Sequence, residues 1–191
     1  MAKAVTLKDK DGTVLYPVTS WDLVGGSESG WQLVSEIKLA TAGSSMICSL
    51  PNQYDCYKVI AAGEWVNGVS DTWLDFRMLN GTSTIASTVQ RVFWQNANGA
   101  VAVLTDRPWQ INIENCYAYD TFNLEFTSFK TASTQWRKFR AIANCSGQNQ
   151  WYAQTQGRAQ NATEPTAFQV VSGGNLGAGA FVKVFACNKP A

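Results

Sequence analysis

The nine residues Thr121-Phe122-Asn123-Leu124-Glu125-Phe126-Thr127-Ser128-Phe129 decide the fold. Phe122, Leu124 and Phe126 alternate with Asn123, Glu125 and Thr127, a period of two that sends apolar side chains to one face of a strand and polar ones to the other. The same alternation recurs upstream in Thr72–Leu79, where Leu74, Phe76 and Met78 point one way and Trp73, Asp75 and Arg77 the other. Further strands are expected over Trp31–Leu39, Tyr57–Val66, Val89–Gln95 and Ala100–Leu104, the last two joined by the Asn-Gly turn signal of Asn98-Gly99. Trp136–Ala143 and Gln150–Gln156 bracket a turn-like Cys145-Ser146-Gly147-Gln148-Asn149, and Ala167–Ser172 and Ala180–Ala186 enclose a glycine-rich connection. Short strands separated by Gly, Asn and Ser turns, without helical periodicity, predict an all-β, two-sheet antiparallel sandwich over residues 31–191.

Residues 1–24 differ from this pattern. Val5–Lys8 and Thr13–Tyr16 are short alternating runs around an Asp11-Gly12 turn signal, and Pro17 ends the second. A lone hairpin is marginal in water, so the segment is expected to need a partner surface. Asp11, Gly12, Tyr16, Pro17 and Trp21 are its candidate assembly residues. Gly25-Gly26-Ser27-Glu28-Ser29-Gly30 is expected to be a linker.

Only 15% of the 191 residues are charged, against 8 Trp, 9 Phe and 6 Tyr, so much of the surface must be neutral polar or packed on another copy. A net charge of +1, with the densest basic cluster at Arg137, Lys138 and Arg140, argues against nucleic acid as a partner. No apolar run approaches a membrane span, and the opening residues lack a signal-peptide core, so cytoplasmic synthesis without membrane insertion is expected. Five cysteines (Cys48, Cys56, Cys116, Cys145, Cys187) at irregular spacing fit reduced, buried thiols.

The chain contains no histidine, which removes Ser-His-Asp and Cys-His catalysis and every His-containing metal site. Gly173–Gly179 joins two strands and opens no helix, so it is expected to be a strand connection and not a phosphate cradle. Acids such as Glu64, Asp75, Asp120, Glu125 and Glu164 lie in or beside the strands, but none marks a catalytic pair, and they are expected to be solvated or salt-bridged. No enzymatic activity, cofactor or metal is expected. The candidate ligand-binding residues are Trp73, Asp75, Arg77, Trp94, Trp151 and Tyr152, because aromatic rings beside Asn, Gln and Asp suit sugar rings and their hydroxyls. Packing in the core or at a subunit interface is the competing expectation for these tryptophans.

Lys8-Asp9-Lys10-Asp11-Gly12-Thr13-Val14-Leu15-Tyr16-Pro17-Val18-Thr19 resembles the opening motif of tail-fibre, head-fibre and related appendage proteins of bacteriophages. Phe168–Phe185 is similar to the closing hairpin of a jelly-roll domain in phage virion proteins, although here the last strand ends at Phe185-Ala186 where that family often has Leu-Tyr-Gly. Together these stretches cover about a sixth of the chain. The resemblance implies that the sandwich is jelly-roll-like. It implies a virion protein synthesised in the bacterial host cytoplasm: a head fibre, tail-fibre tip or capsid decoration. It also implies a homotrimer docked on other virion proteins through its N-terminal segment, with host-surface glycan as a possible target. A stand-alone carbohydrate-binding module or lectin is the alternative expectation.

Overall fold

The computed structural model describes residues 6–8, 14–17, 30–66, 73–95, 101–104, 110–111, 117–130, 137–146, 151–159 and 163–187. The elements in chain order are β1 (Thr6–Lys8), β2 (Val14–Pro17), β3 (Gln32–Lys38), β4 (Gly43–Ser49), β5 (Cys56–Glu64), β6 (Leu74–Asn80), β7 (Ser83–Thr84) and β8 (Ser87–Gln95). They continue with β9 (Val101–Leu104), β10 (Gln110–Ile111), β11 (Thr121–Lys130), β12 (Arg137–Ser146), β13 (Trp151–Ala159), β14 (Ala167–Leu176) and β15 (Phe181–Cys187). Among the described residues there is no helix.

Two antiparallel sheets pack face to face. One is five-stranded in the order β10-β6-β14-β4, with β7 on β6; the other is eight-stranded in the order β3-β15-β5-β11-β12-β13-β8-β9. From β3 to β15 the chain changes sheet at eight of twelve steps and stays within one sheet at β6–β7, β8–β9, β11–β12 and β12–β13, the back-and-forth wrapping of a two-sheet sandwich. Among the described residues β1 and β2 pair only with each other, as a two-stranded sheet in which Tyr16 is the register partner of Leu7 and Pro17 of Thr6. Asp11, Gly12, Trp21 and residues 25–29 lie outside the described residues.

Alternation explains the sandwich. In β11, Phe122, Leu124 and Phe126 are buried while Thr121, Asn123 and Glu125 are exposed. In β12, Phe139, Ala141, Ala143 and Cys145 repeat that pattern. The two sheets meet in four phenylalanines, Phe76 and Phe168 from the smaller and Phe126 and Phe139 from the larger. Ring centroids lie 4.8 Å apart for Phe126–Phe168, 5.3 Å for Phe76–Phe126 and 5.7 Å for Phe126–Phe139. Each such ring contributes roughly 1.5–3 kcal/mol by leaving water, so this cluster is the main inter-sheet adhesive. Trp65, fully buried, donates its indole N–H to the Ser172 hydroxyl at 2.7 Å, so its one polar atom is satisfied.

A second device closes one end of the sandwich. Arg137, only 2% exposed, donates to the carbonyls of Asp55 (2.9 Å) and Tyr54 (2.8 Å) and to Glu164 Oε2 (2.9 Å), and its guanidinium lies over the Tyr57 ring. Lys130 completes an ion pair on the other Glu164 oxygen. Burial alone would raise the Glu164 carboxyl, but hydrogen bonds from Lys130 and Arg137 outweigh it and hold the group below the usual carboxylate range. Tyr57 adds a hydroxyl bond to the Pro51 carbonyl.

Besides the two-residue strands β7 and β10, which the sequence reading did not mark, and β13, which runs on to Ala159, three strand assignments differ from it in ways that bear on the fold. β4 lies in a stretch the alternation did not mark, because only Met46 and Cys48 of GSSMICS turn inward while Ile47 is 51% exposed. β12 extends through Cys145 and Ser146, which pair with Phe122 and Thr121, so the turn begins later than expected. The glycine-rich stretch is not wholly a connection. β14 runs on through Gly173, Gly174, Asn175 and Leu176, and backbone bonds from Gly173 to Trp73 (2.9 Å) and from Val66 to Asn175 (3.0 Å) keep that stretch paired. The reversal is confined to Gly177–Gly179, where Gly179 takes φ +98°. The described cysteines, Cys48, Cys56, Cys145 and Cys187, are free thiols, and Cys48 and Cys145 are buried. Cys116 lies outside the described residues.

Candidate functional site

Four of the six candidate ligand residues, Trp73, Asp75, Arg77 and Tyr152, have described side chains, and these divide between the two outer faces. Trp73, Asp75 and Arg77 occupy the outer side of the five-stranded sheet, opposite buried Leu74, Phe76 and Met78, as the alternation requires. Much of Trp73 is nevertheless committed to packing: a Cβ added at Gly173 would lie 2.8 Å from the indole Nε1, so the ring rests directly on that glycine backbone. Asp75 is committed to Arg77, which donates to Oδ2 at 3.1 Å. Burial pushes the Asp75 carboxyl above its usual range, against the opposing pull of the Arg77 guanidinium. Gln169 beside them donates to Ser45 at 3.0 Å. This face therefore spends part of its polar groups on itself, while the buried Asp75 Oδ1 has no hydrogen-bond partner among the described residues.

Tyr152 lies on the other outer face, 37% exposed, on β13 of the eight-stranded sheet. Trp94 and Trp151 are its strand neighbours, in register with Ala153 and Cys145. Three long strands, β11, β12 and β13, stack their outward residues in rows. Asn123, Asn144 and Tyr152 form the first, and Glu125, Ile142 and Gln154 the second. Thr127, Arg140 and Gln156 form the third, and Phe129, Lys138 and Arg158 the fourth. Tyr152 donates its hydroxyl to Gln154 Oε1 at 3.3 Å, and Arg140 Nη2 donates to the same oxygen at 3.4 Å. A ring, three amides (Asn123, Asn144, Gln154) and a guanidinium thus share one flat surface, a combination that offers stacking and both kinds of hydrogen bond to a polyhydroxylated ligand.

The surface ends in a depression of about 450 Å³ lined by Phe129, Lys138, Arg140, Gln156, Gly157 and Arg158. A register shift between Gln156 and Gly157 in the pairing of β13 with β8 adjoins it, the kind of irregularity that re-aims side chains beside binding sites. Sequence reading grouped Arg137, Lys138 and Arg140 as one basic cluster. The strand splits it, sending Arg137 inward to Glu164 and Lys138 and Arg140 outward, where β13 adds Arg158 directly opposite Lys138. The signal that finds this is the parity of positions 137, 138 and 140 in an alternating strand. The partner at position 158 needs the register.

A second depression of about 390 Å³ lies at the opposite end of β5 and β11, bordered by Glu64, Thr121, Asn123 and the β14–β15 turn. Nearby, Tyr119 holds a positive φ of 72°, stabilised by a backbone bond from its N–H to the Trp65 carbonyl at 2.6 Å. Glu64 is the one carboxylate among the described lining residues. Among the described residues no group of three or more His, Cys, Asp or Glu side chains is placed to hold a metal ion.

No family model matches the chain, and no curated protein does. Among solved structures, the chain is similar to the crystal structure of SO2946, a protein of unknown function from Shewanella oneidensis MR-1. The identity is 11%, the match covers 88% of this chain and 75% of that one, and the TM-score of 0.25 is too low to carry any argument.

Proposed function

We propose that the protein is a non-enzymatic structural component of a bacteriophage virion (a head fibre, tail-fibre tip or capsid decoration) whose eight-stranded sheet contacts host-surface glycan. The observation that carries the glycan contact is the row surface of β11–β13, where the exposed Asn123 and Asn144 amides stand in one row with the Tyr152 ring, beside the Gln154 amide on which Tyr152 and Arg140 converge. The virion half of the reading draws its support from the resemblance of Lys8–Thr19 to phage appendage openings and from β1 and β2 forming a sheet of their own. A lone two-stranded hairpin gains stability from a partner surface, which fits docking on a larger assembly and trimer formation.

The test is made on the full chain. Size-exclusion chromatography with light scattering is expected to give a trimer, and a monomer overturns the appendage assembly. An array of bacterial surface glycans is expected to yield binders that Tyr152→Ala weakens; silence across the array overturns glycan contact. A monomer that binds glycan equally well without residues 1–24 establishes instead the stand-alone carbohydrate-binding module, which the same Tyr152–Gln154 surface would serve.

A further inference from the structure

The depression at the end of the row surface differs from the rest of the sheet in charge. Elsewhere on this face Lys58 is answered by Glu125 at 3.2 Å and Lys183 by Glu36 at 3.4 Å, while Lys38, which has no ion pair among the described residues, faces Phe181 and not a second cation. Lys138 and Arg140 form no ion pair among the described residues, and none of the described lining residues is acidic. Lys138 and Arg158 are direct cross-strand partners, and like charges placed so destabilise a sheet. Arg91 is the next register position along the neighbouring row, paired with Gln156. The Arg140 guanidinium donates to Gln154 through Nη2 alone at 3.4 Å, which leaves most of its fork of donors open among the described residues. Phe129, 41% exposed and in register with Lys138, supplies an apolar wall.

From this arrangement we infer that the Phe129–Lys138–Arg140–Arg158 depression binds the anionic group, carboxylate or phosphate, of an acidic surface polysaccharide. The volume suits one sugar unit, since ligand sites begin at about 300 Å³. Phe129 takes the apolar face of the ring while the cations take the charge, in charge-assisted hydrogen bonds. Lys138 and Arg140 at one hollow suit a single anionic group. A nucleic-acid backbone needs a longer basic track. The inference rests on the glycan reading above and narrows its ligand class.

The full chain is titrated by calorimetry with a polyuronate (carboxylate), a poly(glycerol phosphate) (phosphate) and a neutral dextran, at low and high salt. Binding to one or both acidic polymers is expected, weakened by salt and by about tenfold or more in the double variant Lys138→Gln/Arg140→Gln, the loss that goes with a charge-assisted hydrogen bond. Lys183→Gln, a cation on the same face but away from the hollow, is expected to leave binding unchanged. Preference for one acidic polymer identifies which anion the hollow takes. Dextran bound as tightly as the acids overturns this inference and leaves glycan contact standing, whereas no binding to any of the three polymers overturns the inference. Equal losses in Lys183→Gln, or tighter binding of single-stranded DNA than of either acidic polymer, also overturn it.

Discussion

Arg137 and Lys138 are adjacent in the chain, carry the same charge and sit in the same strand, yet they belong to different regions of the molecule. Arg137 faces inward at 2% exposure, with two backbone carbonyls, a carboxylate and the Tyr57 ring around it. Lys138 faces outward, opposite another cation, beside an exposed phenylalanine. The difference teaches that a charge is structural where acceptors are built around it and is left for something else where they are not. Alternation along one strand is enough to separate the two.

Removing the inward charge is expected to produce the largest effect. Arg137→Met leaves the carbonyls of Tyr54 and Asp55 without their donor and Glu164 with Lys130 alone, and breaking a buried pair in this way costs about 3–5 kcal/mol. At about 2–4 °C per kcal/mol for a chain of this size, the melting temperature should fall by about 6 °C or more. Polysaccharide binding below that temperature should survive. If Arg137→Met melts like the parent protein, the inward cluster is not what closes this end of the sandwich. Pairing it with Glu164→Leu sharpens the point, because removing both charges should recover part of the loss.

Acid acts on the inward region by a smaller margin. Glu164 has a folded pKa below its ordinary value of 4.5, so its contribution to stability is present above that pH and is lost as pH falls through the folded value. Thermal melts between pH 6 and pH 3 should therefore show a decline that Glu164→Gln flattens. A decline that persists unchanged in Glu164→Gln assigns the acid sensitivity to other carboxylates.

The sandwich was legible because the core strands alternate cleanly: Phe122, Leu124 and Phe126 announce β11, and Leu74, Phe76 and Met78 announce β6. β4 was not, because two small serines and an outward Ile47 erase the period in a strand held mainly by its pairing with β14. The same limit applies to the site. The outward position of Trp73, Asp75 and Arg77 was readable, but its commitment to Gly173 and to an internal ion pair was not, since Gly173 is brought there by a strand from the far end of the chain. Tyr152 was readable as a polar-flanked aromatic. The basic hollow was not, because Lys138 and Arg158 meet only once the β12–β13 register is known.

The smallest expected effect is the most discriminating, because its sign is opposite to the first. Lys138→Glu replaces a like-charge pair across β12 and β13 with an attractive one, and cross-strand pairs of this kind are worth about 0.2–1 kcal/mol. Exposure and solvent screening keep the gain toward the lower end of that range. The melting temperature should rise by about 1 °C, while binding to an acidic polysaccharide should be lost. A stabilised protein that no longer binds is the signature of a charge kept at a cost to the fold. If Lys138→Glu is destabilised instead, Lys138 is already compensated by a neighbour, and the contrast with Arg137 becomes one of degree: two structural charges, one buried and one at the surface.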